Sequence, residues 1–117
     1  MPARSIRTEI LEIVDDEGRT RASFGLAKSN HPVLKMFDEE DHIRIRIGLD
    51  NLGEPSVTLY DEDDIPRAII TLTAKGQTGL ILTDTQKNIR ASVSISAAGN
   101  AEMNIFDNTA ERVWKAP

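Results

Sequence analysis

An aspartate recurs at a fixed step of 23 residues, as Asp15, Asp38, Asp61, Asp84 and Asp107. Six places after each of the first four stands an arginine: Arg21, Arg44, Arg67 and Arg90. In the fifth row that place is Val113, with Arg112 one step earlier. No insertion interrupts the period across 117 residues. A fixed period of this length marks a repeat architecture, in which each copy is one small unit and neighbours share a core.

Within a row the apolar residues alternate. In the second row Leu34, Met36, Ile45, Ile47 and Leu49 interleave with Lys35, Arg44, Arg46 and Gly48. A period of two is the sign of a strand with one wet and one dry face. The other rows repeat it: Leu11, Ile13, Ala22, Phe24 and Leu26; Val57, Leu59, Ala68, Ile70 and Leu72; Leu80, Leu82, Ala91, Val93 and Ile95; then Met103, Ile105 and Trp114. No window carries a 3.6-residue apolar period, so helices are not expected.

The acidic stretches "DDEGRT", "DEEDHI", "DEDDIP", "DTQKNI" and "DNTAER" separate the two halves of each row. An aspartate at the head of a turn accepts hydrogen bonds from backbone N–H groups two or more residues on. The fourth place, Gly18, Asp41, Asp64, Lys87 and Ala110, is read as left-handed. Each row then becomes a β-hairpin with a four-residue loop, in which Met36 faces Ile45 and Phe37 faces Arg44. The links between rows place Asn30, Gly53, Gly76 and Gly99 in one column, again suited to positive φ.

The expected fold is all-β: five tandem 23-residue hairpin repeats, approximately residues 10–32, 33–55, 56–78, 79–101 and 102–117, within a single domain covering 1–117. They form an antiparallel meander. Because every row shows the same apolar face, that face has to meet itself or a partner, and a barrel-like or prism-like closure is expected, with a two-sheet sandwich as the alternative. Trp114, where other rows carry alanine or isoleucine, is expected to plug the open end of the core.

The chain has no cysteine, which excludes disulfides and thiolate metal sites. The opening "MPARSIRTEI" lacks a continuous apolar run, and no segment approaches the roughly 20 apolar residues of a membrane-spanning helix. A cytoplasmic protein with no membrane partner is therefore expected. The net charge of −5 argues against nucleic acid, whose phosphates require a basic face.

Clustered acids suggest a hard cation such as Ca²⁺, with Asp38, Asp41, Asp61, Asp63 and Asp64 as the candidate ligands. The acids vary from row to row and each turn has an arginine beside it, so no metal and no cofactor is expected, and the acids read as a solvated rim. His31 and His42 have no counterparts in other rows. No nucleophile motif and no phosphate loop occurs, so an enzyme is not expected. The outer face mixes Phe37, Tyr60 and Phe106 with Arg44, Arg67 and Arg90, a combination favoured at protein interfaces.

The row pattern, clearest in "EIVDDEGRTRASFGL", "VTLYDEDDIPRAIITL" and "LILTDTQKNIRASVSI", resembles the D-x-x-G-x-x-R-A hairpin repeats of uncharacterised bacterial proteins, over Ile10 to Trp114. Rows two to five lack the turn glycine and row five lacks the arginine. The resemblance implies an architecture and no activity. The expected role is a non-catalytic interaction or structural module that binds a protein partner or a second copy of itself through an outer sheet face. A lectin-like module, binding a glycan with calcium at the acidic turns, is the alternative.

Overall fold

The computed structural model describes residues 4–117. Ten antiparallel strands form one sheet in sequence order: β1 (Ile10–Val14), β2 (Thr20–Leu26), β3 (Pro32–Phe37), β4 (Ile43–Leu49), β5 (Pro55–Tyr60), β6 (Pro66–Leu72), β7 (Thr78–Thr83), β8 (Ile89–Ile95), β9 (Ala101–Phe106) and β10 (Arg112–Ala116). No helix occurs among the described residues.

Tight turns make each strand pair with its sequence neighbours. At the acidic end, the Asp38 N–H donates to the His42 carbonyl and the Asp41 N–H to the Asp38 carbonyl. Asp15, Asp61, Asp84 and Asp107 open turns with the same pattern. So do Ala27, Asp50, Thr73 and Ser96 at the links. Both ends therefore use one device, a three-residue loop with a left-handed third residue, rather than the four-residue loop expected at the acidic end. The left-handed positions are 18, 30, 41, 53, 64, 76, 87, 99 and 110, spaced alternately by 12 and 11.

The alternation has a cause. In each acidic hairpin the register slips by one residue beside the turn: Met36 pairs with Ile45, but Phe37 pairs with Ile43. The same slip follows Ile13, Leu59 and Leu82, and it separates Arg112 from Trp114 in the last hairpin. Two residues oppose one, which is a β-bulge. The link turns show no such slip. The extra residue is the recurrent arginine. Without the slip Met36 would face Arg44, and the arginines would stand on the apolar face, because a one-residue slip exchanges the faces of a strand. Phe37 thus does not simply face Arg44; it faces a two-residue bulge of which Arg44 is the second member. Pro66 sits at one such bulge, and Pro32 and Pro55 begin strands, where a missing N–H is tolerated.

The sheet does not close. β1 and β10 are its two edges, and each strand touches only its sequence neighbours. Neither a barrel nor a two-sheet sandwich forms. The physical reason lies in the turns: each adds one strand to the growing edge, and none is long enough to carry the chain to a second layer. Trp114 consequently plugs nothing. It lies on β10 opposite Ile105 and is half exposed.

The apolar set does share one face, and that face is open. Ile47, Ile70 and Val93, expected to point into a dry core, are 40%, 55% and 40% exposed. Leu11, Phe24, Met36, Leu59, Leu82 and Ile105 are similarly exposed. The few buried residues, Val33, Thr58 and Asn104, lie on the opposite, polar face. Val33 sits between Gly25 and Gly48 in the register, and a Cβ at Gly48 would come within 3.1 Å of its Cγ2. Thr58 pairs with Arg46 on one side and Ile69 on the other, and long polar side chains lay their stems over such neighbours.

The turn geometry yields a stability prediction. Ala110 holds φ at 66°, where a Cβ costs about 1–2 kcal/mol. Ala110→Gly is expected to stabilise the chain by about 1 kcal/mol, and Gly53→Ala to destabilise it comparably, as read from the midpoint of urea unfolding at constant slope.

Candidate functional site

Both faces and the acidic rim carry residues singled out in the sequence. In each acidic turn one oxygen of the leading aspartate accepts two backbone N–H groups. Asp38 Oδ1 takes those of Glu40 at 2.9 Å and His42 at 3.0 Å. Asp61 does the same for Asp63 at 2.9 Å and Ile65 at 3.1 Å. Asp15, Asp84 and Asp107 follow the pattern. The second carboxylate oxygen meets the bulge arginine, with Arg44–Asp38 and Arg67–Asp61 both 3.6 Å apart and Arg90–Asp84 3.8 Å apart.

These partners set the ionisation. Asp15 and Asp84 are held below the ordinary carboxylate value, chiefly by the N–H groups of Arg19 and Asn88. At Asp107 the Thr109 hydroxyl contributes most. At Asp38 and Asp61 desolvation is the largest single influence and pushes upward, but the combined backbone hydrogen bonds and arginine charge outweigh it, and both carboxyls are lowered.

The arginines also reach the next hairpin. Arg44 Nε donates to the Tyr60 carbonyl at 2.9 Å, Arg67 Nε to Thr83 at 2.7 Å and Arg90 Nε to Phe106 at 2.8 Å; Arg21 reaches Phe37 at a longer 3.5 Å. Each guanidinium thus ties the carboxylate of its own turn to a carbonyl 16 residues on. The fork of an arginine suits this double role, and a lysine point charge does not. In the fifth row Val113 holds the arginine's place, and no such arm forms there.

Phe37, Tyr60 and Phe106 are half-buried on the polar face beside these arms. Of the six interface candidates the structure joins four as two pairs through backbone carbonyls, Arg44 to Tyr60 and Arg90 to Phe106; Arg67 reaches Thr83 instead, and Phe37 is reached by Arg21. The pairing of these residues was legible only as far as the strands. The reach from one row to the next was not.

His42 joins two neighbouring turns. Its Nδ1 lies 3.0 Å from Asp64 Oδ1, and its Nε2 lies 3.9 Å from Glu40. The hydrogen bond with Asp64 raises the imidazole pKa, desolvation opposes this, and Asp38 adds to the rise. The two residues, with Tyr60 and Ile43, border an open depression of about 450 Å³. Among the described residues no three His, Asp or Glu side chains converge as metal ligands. Asp41 and Asp64 serve as left-handed turn residues, and Asp63 donates its N–H to Asp61.

The larger feature is the apolar face, expected from the alternation to form a core and here open. It contains a shallow groove of about 410 Å³ along β5–β8, bordered by Val57, Ile70, Leu72, Leu80, Val93 and Ile95. The same groove is edged by Ser56, Thr71, Gly79 and Ser94, and no charged side chain lines it.

No family model matches this chain, and no curated protein matches it.

Two outcomes follow from the rim. Lowered aspartate pKa values stabilise the fold above the ordinary carboxylate value of about 4, so stability is expected to fall as pH drops through the folded values. The raised His42 pKa acts in the other direction: its contribution is complete below about 6.5 and is lost as pH rises through the folded value. Thermal melts across neutral pH should show this small alkaline loss in the native chain and none in His42→Asn. Separately, Arg67→Lys is expected to speed amide exchange at the turn end of β6 and β7 while leaving the β1–β2 hairpin unchanged.

Proposed function

We propose that the chain is a non-catalytic interaction module whose apolar sheet face is its binding surface for protein. The observation that supports this most is the mismatch between this chain and a self-sufficient domain. Its surface is 8704 Å², whereas a folded monomer of 12.9 kDa is expected to expose about 6,300 Å². Its radius of gyration is 17.7 Å, against about 13.4 Å for a compact domain of this length. The uncovered apolar face accounts for part of that surplus, and exposed apolar patches of more than a few hundred Å² mark interaction sites.

The polar face supplies the rigidity such a surface needs. Rows of arginine bridges and aspartate-capped turns hold the hairpins in register, so the apolar side chains present a preformed surface, which lowers the ordering cost of association. The acidic turns lie beyond the strand ends, outside the apolar field. They also discourage unspecific edge pairing, because like charges repel.

The test is whether the apolar side chains belong to the chain's own core. Ile70→Thr keeps a β-branched residue and removes apolar surface. In the dilute chain it is expected to cost under about 1 kcal/mol, as at an exposed position, while abolishing much of the binding of an apolar fluorescent dye. A loss of about 2–5 kcal/mol, the range for core truncations, with no dye bound by the native chain, would contradict the proposal.

A further inference from the structure

We infer that the occupant of the apolar face is a second copy of this chain, packed face to face about a two-fold axis. This rests on the reading of that face as the binding surface and commits it to one partner.

Three observations carry it. The first is area. Ten strands at about 4.8 Å spacing and about 20 Å length give a face of roughly 1,000 Å². Two such faces in contact remove about 2,000 Å², the range of stable and obligate homodimers. Each copy would cover about 1,000 Å² of its own surface, which is part of the surplus a single chain of 8704 Å² carries over a compact monomer.

The second is shape. One row across the sheet runs Met36, Ile45, Leu59, Ala68, Leu82 and Ala91, with Ala22 before it and Ile105 after it, each paired with the next. Large residues stand on odd strands. Alanine stands on β2, β6 and β8, with Ile45 the exception within the row. Along this row knobs and gaps therefore alternate at a pitch of two strands, about 10 Å, while the adjoining row, from Phe24 through Ile47 and Ile70 to Met103, is large throughout. A comb of this kind is complementary to itself when displaced by one strand, and an isologous two-fold contact requires a self-complementary patch. Two facing sheets also settle about 10 Å apart with interdigitated side chains, which suits ridges entering troughs.

The third is the edges and the charge. Pairing through strand edges would place a further strand beside β10, where Val113 supplies no arginine arm and Lys115 stands on the edge strand. Face-to-face packing uses no edge. It buries no charge, and the acidic turns of both copies stay at the rim. With a net charge of −5 and no basic belt on the face, an anionic lipid surface is repelled rather than bound.

Sedimentation equilibrium of the full chain, from low to high micromolar, tests this. The expected species has twice the 12.9 kDa chain mass. Filling the troughs with Ala68→Phe and Ala91→Phe is expected to weaken pairing at least tenfold, although both changes add apolar surface. Circular dichroism checks that the variant folds, and Leu59→Ala, which removes a ridge, is expected to weaken pairing as well. Pairing that is unchanged or tighter in the filled variant would overturn the interlocked comb, as would an assembly of three or more chains. A monomer that binds an apolar dye would overturn self-pairing and leave the interaction surface in place. A monomer that binds no dye would overturn both.

Discussion

The structure depends on one extra residue in every second strand. Nine turns of one type reverse the chain, and identical turns at identical spacing would carry a residue of the wrong character to the apolar side. The β-bulge beside each acidic turn prevents this. It lengthens the even strands, makes the period the odd number 23, and places an arginine on the polar face where it can reach out of its own hairpin. The aspartate at the head of the turn completes the device. It holds the loop through two N–H groups and holds the guanidinium through its other oxygen.

From that unit the shape of the molecule follows. Tight turns allow only strands that add to the edge of one sheet, so the meander grows without folding back. One face becomes a lattice of hydrogen bonds, ion pairs and covered stems. The other becomes a continuous apolar field with no layer above it. The hydrophobic effect acts on that field as strongly as on any core. The association proposed above is therefore the continuation of folding by a second chain, with the polar face fixing the geometry that the apolar face offers.

Much of this was legible in the sequence, and the misses are instructive. Period-two alternation identified the strands, and the columns at Gly18–Ala110 and Asn30–Gly99 marked both sets of left-handed turn residues. The apolar set at Ile47, Ile70 and Val93 was correctly grouped on one face. Its burial was not legible, because alternation shows which side chains share a side and says nothing about what covers them. Closure into a barrel was inferred from the need to cover that side, and a partner meets the same need. The bulge was legible in principle: a 23-residue row with two reversals cannot keep one face without an unpaired residue, and the conserved place of Arg44 and Arg67 within the rows marked it. The arginine reach to Tyr60 and Thr83 links rows, so reading each row as a separate hairpin concealed it.

The most direct measurement exploits the absence of cysteine. Single changes Ile70→Cys and Ile69→Cys place a thiol on the two faces of the same strand, β6. Labelling rates are then followed against protein concentration. The account predicts that the thiol at position 70 reacts quickly in dilute solution and slowly once the chains associate, while the thiol at 69 is indifferent to concentration. Protection of position 70 at every dilution would mean that a single chain covers its own apolar face, and the open sheet would be wrong.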